Sequence, residues 1–84
     1  MKGTVVHHEH RIGFIVIRDE EGEFAIAELL GKYDVEMGDV VSGNLHASGD
    51  ETLFNQTQDE AMEVSIKGHG LSEHDAISML LRTH

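Results

Sequence analysis

His7-His8-Glu9-His10 is the cluster whose residue types best suit metal coordination. Imidazole nitrogens bind zinc, nickel or copper, and on an extended backbone alternate residues share a side, so His8 and His10 point the same way. Two ligands do not make a tight site. A third would have to come from His46, His69 or a carboxylate, and spacing does not choose among them. Ordinary polar residues at a strand end are the simpler account. His7-His8-Glu9 also fits the opening of a deaminase zinc signature, but the cysteines that signature needs are absent. The acids of Asp19 to Glu23 lack the alternating ligand pattern of a calcium loop and read as a solvated hairpin tip. Gly43 to Gly49 has the wrong spacing for a phosphate-binding loop and is followed by Asp50 instead of lysine. No nucleophile, base and orienting acid come together, so the expectation is a protein without catalytic residues or cofactor.

Charge narrows the partners. Six Lys plus Arg against 16 Asp plus Glu give a formal net charge of −10 at pH 7, a mean field that repels nucleic acid unless a basic patch overrides it. Lys2, Arg11, Arg18, Lys32, Lys67 and Arg82 are scattered along the chain. Protonating all seven histidines would bring the formal charge to −3, which favours association at mildly acidic pH. Eighty-four residues allow one domain with a modest core, and without cysteine that core must hold by packing or by oligomerisation. No apolar signal core opens the chain and no window approaches a membrane span, so a cytoplasmic protein without membrane contact is expected.

The element that must organise the rest is Arg11 to Ile17, with Ile12, Phe14 and Val16 on one face and Gly13, Ile15 and Ile17 on the other. A strand apolar on both faces must be covered on both. Lys2 to His8 precedes it. The turn Asp19-Glu20-Glu21-Gly22 joins it to Glu23 to Ala27 as a hairpin, with Phe24 and Ile26 on one side and Ala25 and Ala27 on the other. Glu28 to Met37 reads as a connection, and Gly38-Asp39 launches a strand over Val40 to Ala47. Thr52 to Thr57 and Ala61 to Lys67 are either one bent strand or two short ones. Beyond residue 70 the period changes: Ser72 can cap a helix that places Ala76, Ile77, Leu80 and Leu81 in one arc. The expected architecture is mainly β, a small five-stranded barrel over residues 1–70 with an amphipathic helix over 71–84.

Lys2-Gly3-Thr4-Val5-Val6, Gly13-Phe14-Ile15, the turn from Asp19 to Gly22, and Met37-Gly38-Asp39-Val40-Val41 together resemble a cold-shock domain, a five-stranded OB-type barrel. The resemblance covers residues 1 to about 70 and implies single-stranded nucleic-acid binding, with aromatic side chains stacking bases and cations holding phosphates. His7, His8, Arg11, Phe14 and Lys67 are the residues that would do so here. The chain departs from the pattern where it matters. Ile12 stands in place of an aromatic, Phe24-Ala25-Ile26-Ala27-Glu28 replaces the aromatic and histidine pattern of the third strand, and most basic residues are missing. Loss of both stacking groups and positive potential favours a protein-interaction module that binds a protein partner or itself, nucleic acid being the alternative. Ile12, Phe14 and Val16 then form an apolar stripe, and Ile77, Leu80 and Leu81 cover it in the same chain or in a neighbour.

Overall fold

The computed structural model describes residues 1–9 and 12–82. In chain order they form β1 (Lys2–Glu9), β2 (Phe14–Asp19), β3 (Phe24–Leu29), β4 (Val40–Ser42), β5 (Gly49–Asn55), β6 (Glu60–Leu71) and α1 (Glu73–Arg82). All strand pairs are antiparallel, and they close into a barrel in the order β1-β2-β3-β6-β5-β4. The barrel has six strands where five were expected. The residues after Thr52 are not one bent strand, because Asn55 turns the chain: its Oδ1 accepts the N–H groups of Thr57 and Gln58 at 3.0 Å each. Asp59 then takes a positive φ of 57°, which completes the reversal into β6.

Two strands are shorter than their hydrophobic runs. β2 begins at Phe14 because Ile12 and Gly13 belong to a turn, in which Gly13 has φ of 68° and donates its N–H to Glu9 O at 3.0 Å. β4 stops at Ser42, since Gly43 has φ of 145° and a Cβ there would stand 2.5 Å from Leu53 Cδ2. The chain leaves the sheet at that point and turns inward through Leu45, which is buried.

Alternation along β2 yields two apolar layers. Ile15 and Ile17 point into the barrel with Val5, Val41, Leu45, Leu53, Met62, Val64 and Ile66. Phe14 and Val16 point outward and pack with Phe24, Ile26, Ala76 and Leu80, flanked by the half-buried Val6, Ile12, Leu71 and Met79. Both faces of the strand are therefore covered, the second by α1. Ser72 caps that helix, its Oγ accepting Asp75 N–H at 3.1 Å. Ten residues are too few for a stable helix alone in water, so docking holds it. At about 100° per residue the buried stripe is centred between Ala76 and Leu80, with Met79 and Ile77 at its margins. Leu81 lies about 120° from that centre and is 63% exposed, so it does not pack on the barrel as the expected arc required. Among the described residues no helix is long and apolar enough to cross a membrane.

Candidate functional site

The face on which the cold-shock resemblance would place bases is occupied by the chain itself. Phe14 is only 6% exposed, beneath Ala76 and Leu80, so its ring offers no free surface for stacking. A bulge at Val6 sets the registers His7↔Val16 and His8↔Ile15, which divides the two histidines between the faces of the sheet. His7 lies on the helix side. His8 lies on the side of the interior, where its Nδ1 donates to Val35 O at 3.0 Å. Lys67 is engaged by Glu28 at 3.5 Å. Arg11, and His10 of the expected metal pair, lie outside the described residues. The remaining members of the nucleic-acid set thus fail to converge on one open surface.

A buried polar knot closes the opposite side of the barrel. Asp39 Oδ2 accepts Asn55 Nδ2 and Glu36 N–H at 2.9 Å each, with Gln58 Nε2 at 3.2 Å. Burial pushes the Asp39 carboxyl up, but the hydrogen bonds from Asn55, the Glu36 backbone and Gln58 outweigh it and hold the group below its ordinary value. The Asp39 carboxylate is used in holding the β3–β4 connection to the β5–β6 turn, which makes the knot structural.

A different cluster assembles at the β2–β3 turn. Asp19 ends β2 with its side chain only 2% exposed, and its Oδ1 accepts the N–H groups of Glu21 and Glu23 at 2.9 and 3.0 Å. Gly22, at φ of 81°, allows the tight reversal that returns Glu23 beside Asp19. His46 arrives from the β4–β5 loop. Its position is set by buried Leu45 next to it and by its own N–H donating to Asn44 Oδ1 at 3.3 Å. His46 Nε2 stands 3.2 Å from Glu21 Oε1 and 3.5 Å from Asp19 Oδ2. One ligand-type atom from each of Asp19, Glu21, Glu23 and His46 falls within 4.8 Å of every other. His69, on β6, sets its ring 5.9 Å from that of His46.

The sequence marks the acids of this turn and leaves His46, His69 or a carboxylate open as a third ligand for the N-terminal histidines; the structure places His46 beside Asp19 and Glu21. What brings His46 to Asp19 is Gly3. A Cβ on Gly3 would lie 2.9 Å from Leu45 Cδ1, and Gly3 is itself the β1 partner of Asp19. The missing side chain lets Leu45 settle there, and His46 follows. Neither a protein-family model nor any curated protein or solved structure gives a significant match to this chain.

Proposed function

We propose that the chain is a non-enzymatic interaction module built on an OB-type barrel, and that its partner is a protein with a basic surface. The observation that carries this reading is the seating of Ala76 and Leu80 over Phe14 and Val16. An oligonucleotide would have to displace the helix to reach the one aromatic of the expected platform, and would do so against a formal charge of −10. The same charge disfavours a second acidic copy and attracts a cationic partner. The outer face of β5 and β6 provides the anchor. Phe54 is 39% exposed there between Ser42 and Ala61, and Thr52 Oγ1 donates to Glu63 Oε1 at 3.1 Å on the same side. An exposed aromatic sharing its face with a carboxylate on a strongly acidic chain is a pattern that a lysine- and arginine-rich surface recognises, through cation–π contact and charge.

The test is fluorescence anisotropy at low salt with two labelled probes, a mixed-sequence single-stranded oligonucleotide and a lysine- and arginine-rich peptide. The oligonucleotide is expected not to bind at high micromolar protein. The peptide is expected to bind saturably, more weakly with added salt, and about tenfold more weakly to Phe54→Ser, a loss of about 1.4 kcal/mol. Saturable, salt-sensitive oligonucleotide binding would overturn the proposal and restore the nucleic-acid alternative. Peptide binding indifferent to Phe54→Ser would reduce it to bulk charge and remove the site.

A further inference from the structure

We propose that the cleft over β4, β1 and β2 binds a small phosphate anion, free or as the monoester of a small molecule. The cleft holds about 430 Å³ between Lys2, Thr4, Arg18, Glu20 and Val40. That lies within the range of about 300–1,000 Å³ common to small-molecule sites. Strand register places its cations. Thr4 pairs with Arg18 on one side and with Val40 on the other, and Lys2, two residues earlier in β1, shares the face of Thr4. Lys2 and Arg18 are therefore diagonal neighbours, about 7–8 Å apart at the backbone, so both heads can reach one anion. Like charges so placed repel, and an anion between them removes the repulsion.

A second observation is independent of that placement. In a chain with 16 acids, Lys67 is engaged by Glu28 and Arg82 Nε donates to Ser78 O. Neither the Lys2 ammonium nor the Arg18 guanidinium has an ion pair or hydrogen bond among the described residues, and the Thr4 hydroxyl is equally uncommitted. An ammonium, a guanidinium fork and a hydroxyl are the donors that hold a tetrahedral oxyanion. The acids bordering the cleft are occupied. Glu20 Oε1 accepts the main-chain N–H of Lys2 at 2.8 Å. The Asp19 carboxylate, 2% exposed, is turned to the N–H groups of Glu21 and Glu23 and to His46. Two free cations against Glu20 leave the accessible side chains net positive.

The size of the ligand follows from the charge of the rest. Screening reduces charge effects beyond about 8 Å at physiological ionic strength, and the chain measures 29 × 28 × 22 Å. Most of its acids therefore act weakly on a small anion seated in the cleft. A polyanion extends over them and meets the formal charge of −10.

Titration of the isotope-labelled full chain with sodium phosphate at fixed ionic strength, followed by backbone amide shifts, tests the site. Saturable shifts are expected at Lys2, Thr4 and Arg18, with affinity at least about tenfold weaker in the double variant Lys2→Gln with Arg18→Gln. Both side chains lie at the surface, so the variant keeps the fold. Lys32→Gln, at another exposed cation, is expected to bind as the parent does. Glycerol phosphate run beside inorganic phosphate separates the two sources: tighter binding of the ester assigns the cleft to a phosphorylated small molecule, equal binding to free phosphate. Shifts scattered over the whole surface, unchanged affinity in the double variant, or no binding by the parent at tens of millimolar phosphate would overturn the proposal.

Discussion

The two apolar layers differ in what encloses them. The interior is ringed by six strands whose ladders satisfy one another, and Ile15, Ile17, Leu53, Met62 and Val64 have no measurable path to solvent beyond 0% exposure. The outer layer is closed by one ten-residue helix resting on β2, β3 and β6, and Phe14, Phe24 and Leu80 keep 6%, 9% and 9% of their surface. A ring closed by hydrogen bonds supports itself from every side. A helix held by one apolar stripe depends on that stripe.

The sharpest way to break this contrast is to empty each layer in turn. Leu53→Ala should cost about 2–5 kcal/mol, because the strands around it cannot collapse into the cavity. Leu80→Ala should fall near the lower end of the same range, about 2 kcal/mol, since solvent and a shifted helix refill the space. Urea denaturation of both variants measures the difference, and equal losses would show that the two layers are one. A smaller effect is expected at the Asp39 knot. Asp39→Ala leaves Asn55 Nδ2 buried without its acceptor, at a cost of about 1–3 kcal/mol at neutral pH. The folded-state pKa of Asp39 is depressed, so its charge contributes stability above the unfolded carboxyl value and loses it as pH falls through the folded one. Denaturation followed downward from pH 5 should therefore show a shallower acid loss in Asp39→Asn than in the parent. The smallest change belongs to the outer layer again: Ser72→Ala removes the helix cap for about 1 kcal/mol, read as loss of helical signal at 222 nm on heating.

The interior was easier to read from sequence than the cover. Period-two alternation places Ile15 and Ile17 opposite Phe14 and Val16 without any knowledge of the partner strands, and Ser72 announces the helix. The arc of that helix was misjudged at Leu81, because four apolar residues in ten define a stripe less sharply than the docking of Ala76 and Leu80 does. The sixth strand is only an alternative in the sequence: the runs on either side of Gln58-Asp59-Glu60 fit one bent strand or two short ones, and the choice depends on where the Asn55 side chain lands. The carboxylate and histidine cluster was legible only in pieces. Asp19, Glu21 and Glu23 are adjacent in the chain, whereas His46 reaches them through the cross-strand neighbourhood of Gly3, a contact that exists only once the barrel has closed.

That closure is uneven. β4 joins β1 through just three residue pairs, Lys2↔Ser42, Gly3↔Val41 and Thr4↔Val40, across some of the longest sequence separations in the sheet. The hairpins β1–β2, β2–β3 and β5–β6 each form from neighbouring residues and gain many ladder bonds for a small loop. The β1–β4 seam closes a long loop for few ladder bonds. The brevity of β4 makes this seam, in the closed barrel, one with few ladder bonds to hold it against opening.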